Sequence, residues 1–224
     1  MFANSMFNTG TTAALVTIPL FLLVGEILAR GRAIEKMFTS VDTLVGRLRG
    51  RQYVLTIMLA TVFGALSGTA MGVAAMLGRS VLSGMRARNY DPRLSAGAIL
   101  AGASLAPIIP PSVLVIIIGT MAGVSIAGLM VAGVLPGLIL AGMFLVYILL
   151  RVQRDPSLAP PAEAENAPGH SELSTVRALG QLLPVSFVIL SIMGLILLGI
   201  ATPSEAAATG VLGMAGHSLT KTDS

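Results

Sequence analysis

The chain has 224 residues, 54% of them hydrophobic and only 11% charged, with a mean hydropathy of +0.88. A soluble domain of this size carries about 25% charge, so the composition excludes one and points to an all-α polytopic membrane protein. There is no cysteine, which excludes disulfides and thiolate metal sites. The net charge is +4, and the basic residues, mostly Arg, sit in the gaps between apolar runs. That is the pattern of cytoplasmic loops on a bacterial inner-membrane protein, not of a nucleic-acid-binding surface.

Met1 is followed by the polar Asn4, Ser5, Asn8 and Thr9, so no signal peptide is expected. Residues 12–29 form the first apolar segment, about one membrane thickness long. Residues 33–49 follow, with Ile34, Met37, Phe38, Val41, Leu44, Val45 and Leu48 at helical spacing and charged residues on other faces. An amphipathic helix along the cytoplasmic interface is expected there.

The second apolar segment, 53–82, is interrupted at Ser67, Gly68 and Thr69 and has basic residues at both ends. By the positive-inside rule it starts and finishes on the cytoplasmic side. Its first half, 53–66, is roughly 21 Å long as helix at ~1.5 Å per residue, short of a ~30 Å core. Two short helices in a re-entrant hairpin are therefore expected, with a tip that is buried in protein or faces water. The third segment, 95–122, runs outward, the fourth, 124–150, inward, and the fifth, 182–200, outward. Residues 155–175 are rich in Pro, Ala and Glu and read as a flexible cytoplasmic linker.

The third segment contains Pro107, Pro110 and Pro111. Proline lacks an N–H and frees the carbonyl four residues back. In a continuous helix these three would free Ala103, Ala106 and Pro107. Such carbonyls are tolerable in lipid only where something else satisfies them. Sodium is a good candidate, since hard cations take oxygen ligands, with hydroxyls from Ser112, Ser67 and Thr69 alongside. The half-helix before the break points its partly negative end at the break, and the half-helix after it points its partly positive end there. A cation suits the first and a carboxylate the second, as in the discontinuous helices of transporters.

Gly64, Gly68 and Gly72 recur at four-residue spacing. Gly64 and Gly72 suit close helix packing and Gly68 suits the turn. No Gly-Lys-Ser/Thr follows, which excludes a phosphate-binding loop. His170 and His217 lie in polar stretches, and no nucleophile–base pair is visible, so enzymatic chemistry is not expected. Glu26 sits at the inner end of the first segment, near the interface. Glu205 is expected in the first turn of a further helix capped by Thr202 or Ser204.

The stretches "IPLFLLVGEIL" (18–28), "LVGRLRG" (44–50), "FGALSGTAMG" (63–72), "PIIPPSVLVIIIG" (107–119), "VAGVLPGLIL" (131–140) and "GIATPSEAAATG" (199–210) together resemble the large membrane subunit of TRAP (tripartite ATP-independent periplasmic) transporters. The resemblance implies one repeat of an inverted-repeat, elevator-type transporter, similar to roughly the first half of that subunit. It implies sodium-driven import of a small organic anion, a C4-dicarboxylate or sugar acid. It also implies a periplasmic substrate-binding protein and a small membrane subunit as partners, besides the lipid bilayer. No cofactor other than the coupling Na⁺ is implied. Ser67, Gly68 and Thr69 map onto the hairpin tip, and Pro110, Pro111 and Ser112 onto the substrate-facing helix break. The family often has Ser-Gly-Ser at the tip; Thr69 keeps the hydroxyl.

The expected organisation is then a first transmembrane helix (1–30), an interfacial helix (31–51), a transport domain of hairpin plus broken helix (52–123), a transmembrane helix (124–154), a linker (155–178), a transmembrane helix (179–202) and the start of a second half (203–224). With a second hairpin and second broken helix outside the chain, this polypeptide is expected not to transport alone. Two alternatives share these features: a carrier of gluconate or citrate type that needs no binding protein, and a non-transporting membrane scaffold.

Overall fold

The computed structural model describes residues 48–161 continuously, together with 19, 20, 23, 40–43, 45, 180, 183, 187, 190–196, 198, 200–202, 205, 206, 208 and 209. All regular secondary structure in the described part is helical. Most of residues 12–29, 33–47, 162–189 and the chain end lie outside it, and with them most of the first apolar segment, the interfacial helix and the linker.

The central helix, α1, is Arg51–Ser67. Its sequence is apolar around most of its circumference, and most of it is buried: Tyr53, Leu55, Ile57, Leu59, Ala60 and Phe63 have almost no exposed surface, while Met58 is exposed. It ends at Gly68 in the left-handed region (φ 61°), whose N–H donates to Gly64 O at 2.8 Å. Thr69 returns to extended backbone and starts α2, Ala70–Ser80, which packs on α1 and α4 through Val73 and Leu77. The hairpin expected at Ser67, Gly68 and Thr69 is thus present, with a first arm of 17 residues. The short helix α3, Leu82–Ala87, follows.

Asp91 caps α4, Pro92–Ala103, by accepting from Leu94 N–H at 2.8 Å, and Pro92 occupies the first turn, where its missing N–H costs nothing. After a stretch of turns, α5 runs Val113–Ala122 from a Ser112 cap. Ser125 then caps α6, Ile126–Arg154, whose 29 residues measure about 43 Å. Among the described residues α6 is the helix long and apolar enough to cross a membrane. It leaves Leu135, Leu138, Ile139, Met143, Val146 and Tyr147 uncovered. Residues Pro156–Leu158 close the continuous part as a 3₁₀ turn.

Arg49, Tyr53 and Asp91 meet the turn that follows α6 at one end of the described part. Arg49 Nη2 donates to Pro156 O at 2.6 Å and to Ala159 O at 3.2 Å. Tyr53 Oη–H donates to Leu158 O at 2.7 Å, and Asp91 N–H donates to the same oxygen at 3.2 Å. The Tyr53 and Tyr90 rings stack edge to face, 4.9 Å between centroids. The starts of α1 and α4 and the end of α6 are therefore clasped together. This corrects the linker expected from residue 155: its first residues are pinned, because their carbonyls accept three donors from elsewhere in the chain. Within the turn, Ser157 donates to Asp155, which holds that carboxyl below its usual range. A buried ion pair, Arg51–Asp42, attaches residues 40–43 to the same end; these residues are helical, as the amphipathic pattern implies.

At the opposite side, Val113, Ile116 and Met130 share a core with Ile192, Ile196 and Ala206. Ala206 N–H bonds Thr202 O at 2.9 Å, so Thr202 caps the next helix. Glu205 Oε2 accepts from Thr202 N–H at 2.7 Å and from its hydroxyl at 2.8 Å, a capping box. The cap expected for Glu205 is present, and Thr202 provides it. These bonds hold the Glu205 carboxyl below its ordinary value.

Candidate functional site

The hairpin tip and the break in the α4–α5 pair are in direct contact. A Cβ placed on Gly68 would lie 2.9 Å from Val113 N, 3.0 Å from Val113 Cγ2 and 3.5 Å from Pro111 O. A positive φ at that point already favours glycine; the contact adds a second reason. One turn earlier, a Cβ on Gly64 would lie 2.9 Å from Ala106 Cα. Gly64 is therefore a packing glycine, as its spacing suggested. Gly72 packs on no other described element: it is exposed, and the described atom near its missing Cβ is the Thr69 hydroxyl of its own turn.

Each prolyl interruption has a local outcome. α4 stops at Ala103, earlier than a run to Pro107 implied, and its end is closed by tight turns: Leu105 N–H bonds Gly102 O and Ala106 N–H bonds Ala103 O, both at 3.1 Å. The Pro110–Pro111 peptide bond is cis. Ser112 is fully buried; its hydroxyl donates to Pro107 O at 2.8 Å and accepts from Val115 N–H at 3.4 Å. Ser112 thus ties one side of the break to the other.

Of the carbonyls expected to be freed, Ala103 and Pro107 each accept one internal hydrogen bond, and Ala106 receives none among the described residues. Ile108, Ile109, Pro110 and Pro111 likewise receive none from described residues. The sequence pointed to three carbonyls because it assumed a helix continuing to the prolines; the chain leaves the helix earlier and carries its free oxygens further on. At the tip, Ser67 Oγ makes only long contacts, accepting from Thr69 N–H at 3.4 Å and donating to Thr69 O at 3.5 Å.

The donor set is made of oxygen: hydroxyls of Ser67, Thr69 and Ser112 and several backbone carbonyls. That chemistry suits a hard monovalent cation and not a soft metal, and no cluster of His, Asp and Glu occurs among the described residues. Helix ends add to it. The C-terminal ends of α1 and α4 bring partial negative charge, and the N-terminal ends of α2 and α5 partial positive charge.

The amino-acid sequence matches, over residues 1–219, the family described as "Tripartite ATP-independent periplasmic transporter, DctM component". The chain belongs to this family. Its relatives include the ectoine TRAP transporter large permease protein TeaC of Halomonas elongata, 33% identical over 201 residues, which are 89% of this chain and 45% of TeaC. The C4-dicarboxylate TRAP transporter large permease protein DctM of Pseudomonas aeruginosa is 30% identical over 212 residues, 94% of this chain and 48% of that protein. The 2,3-diketo-L-gulonate TRAP transporter large permease protein YiaN of Escherichia coli is 34% identical over 124 residues, 55% of this chain and 29% of YiaN. This DctM-family chain spans about half the length of the curated relatives that it matches most extensively. Members of the family are transport proteins and not enzymes.

Proposed function

We propose that this chain forms part of the membrane permease of a sodium-coupled importer of organic anions. The observation that carries the reading is the seating of Gly68 against Pro111 and Val113, which sets a polar hairpin tip on the break of a discontinuous helix. Discontinuous helices place ion and substrate sites in this way in other transporters. Sodium is held by oxygens from Ser67, Gly68, Thr69, Ala103, Ala106, Pro107 and Ser112. The substrate carboxylate faces Pro110, Pro111 and Ser112 at the N-terminal end of α5.

The names of the relatives favour a C4-dicarboxylate, a sugar acid or ectoine as cargo. A periplasmic binding protein delivers it, and a small membrane subunit completes the assembly. The clasped basic end lies on the cytoplasmic side of a multi-pass inner-membrane protein. Residues 52–123 act as the transport domain, moving against a scaffold.

The test is uptake of a labelled dicarboxylate or sugar acid by proteoliposomes containing the assembled transporter, its binding protein and an inward sodium gradient. Uptake is expected to need both the gradient and the binding protein, and to fall in Ser67→Ala and Ser112→Ala. Uptake indifferent to sodium would refute the coupling, and uptake without the binding protein would favour the carrier of gluconate or citrate type.

A further inference from the structure

α6 crosses the break at Gly133 and Gly137, about one helical turn apart. A Cβ on Gly133 would lie 2.6 Å from Ile108 O. A Cβ on Gly137 would lie 2.7 Å from Ile109 Cγ1 and 3.4 Å from Ile108 Cγ2. The other glycines of α6 behave differently. Among the described residues, Gly142 has nothing within 4 Å of its missing Cβ, and Gly128 meets Ser125 of its own cap, at 3.5 Å. Among the described residues, bare backbone on α6 is required where the break passes.

Between the two lies Pro136, on the uncovered side of the helix. It removes the N–H that would bond Ala132 O, so the helix is loosened at the same level. The break is thus gripped from two directions. Gly64 meets Ala106 and Gly68 meets Pro111 and Val113 from the hairpin, while Gly133 and Gly137 meet Ile108 and Ile109 from α6.

We propose that Gly133 and Gly137 form a socket that positions the break. Seating Ile108 and Ile109 on α6 fixes where the segment turns, and therefore where Pro107 O and Ser112 Oγ stand against the hairpin tip. Both glycines are positioning residues: the atoms they meet belong to Ile108 and Ile109, and none of them is an oxygen named above for sodium. The effect on sodium rests on the proposed function; the effect on the break does not.

The experiment uses the full chain in detergent micelles and compares Gly133→Ala, Gly137→Ala, the control Gly142→Ala, and Gly137→Ala combined with Ile109→Ala. The first readout is hydrogen–deuterium exchange over residues 112–118, where Val115 and Ile116 N–H bond the Ser112 cap. Gly133→Ala and Gly137→Ala are expected to raise exchange there about tenfold or more while residues 141–152 keep theirs. Gly142→Ala leaves both unchanged. The double variant returns to within about threefold of the parent, because the Gly137 conflict is with a side chain that Ile109→Ala removes. Gly133→Ala has no such remedy, because its conflict is with a backbone oxygen.

Equal exchange in Gly133→Ala and Gly142→Ala, or a uniform rise along every helix, overturns the socket. Should Gly133→Ala fail to fold, the Gly137 pair decides: rescue supports the socket and no rescue overturns it. The second readout is the sodium concentration that gives half-maximal thermal stabilisation, expected to rise about tenfold in Gly133→Ala. An unchanged value in a parent that responds to sodium overturns the socket. A parent with no sodium response, but with the exchange pattern above, overturns the sodium reading and leaves the socket standing.

Discussion

Gly68→Ala puts a methyl group where the tip meets the break. Two costs add. The left-handed conformation at φ 61° costs an L-residue roughly 1–2 kcal/mol. The new Cβ would also stand 2.9 Å from Val113 N and 3.0 Å from Val113 Cγ2. Overpacking of that kind costs roughly 1–3 kcal/mol, so the expected loss is about 2–5 kcal/mol. For a chain of this size about 1 kcal/mol lowers Tm by about 2–4 °C, giving a fall of roughly 4–20 °C. Thermal unfolding of the detergent-solubilised chain, followed by circular dichroism, measures it. Adding Val113→Ala removes the Cγ2 contact and leaves the backbone contact and the positive φ, so it is expected to recover only a minor part. A Gly68→Ala protein that melts within ~1 °C of the parent would refute the contact between tip and break.

Two further outcomes are expected. Arg49→Ala frees the carbonyls of Pro156 and Ala159, and together with Tyr53→Phe it is expected to raise the rate of tryptic cleavage after Arg154 about tenfold; an unchanged rate would mean that the clasp does not hold the end of α6. The Glu205 carboxyl is depressed below its ordinary value near 4.5 by its bonds to Thr202. A depressed acid contributes stability that is full above the unfolded value and is lost as pH falls through the folded one. Exchange of Ala206 N–H should therefore quicken as pH drops below about 4.5, relative to the intrinsic rate, in the parent and not in Glu205→Gln; parallel profiles would show that the capping box carries no pH dependence.

The parts of the fold that a chain signals locally were legible before the structure. Pro107, Pro110 and Pro111 marked the discontinuity, Gly68 marked the hairpin turn, and the Thr202–Glu205 spacing marked a helix start. The boundary of α4 was misjudged although its signal was present: Asp91-Pro92 is a cap followed by a first-turn proline, but it lies outside the apolar run that defined the segment. Ser125, by contrast, lies inside the apolar run 124–150, where hydropathy does not separate a cap from the helix it starts. The clasp at residues 155–159 left no local trace, because backbone carbonyls paired with Arg49 and Tyr53 more than a hundred residues away have no sequence signature. At the site, the residues of tip and break were named from the sequence and lie together. Which carbonyls are left free depended on where α4 actually ends. The stretch "VAGVLPGLIL" was recognisable as a motif, yet only the approach of Ile108 and Ile109 shows what Gly133 and Gly137 do.

If tip and break together hold sodium, the stability of the chain depends on which cation is present. A ligand bound at ten times its dissociation constant stabilises by about 1.4 kcal/mol. Thermal unfolding of the full chain in sodium, potassium and choline chlorides at matched ionic strength separates binding from salt screening. A saturable rise in Tm is expected with sodium alone, weakened in Ser67→Ala and in Ser112→Ala. An identical rise in all three salts, or a sodium response that both substitutions leave untouched, would contradict it.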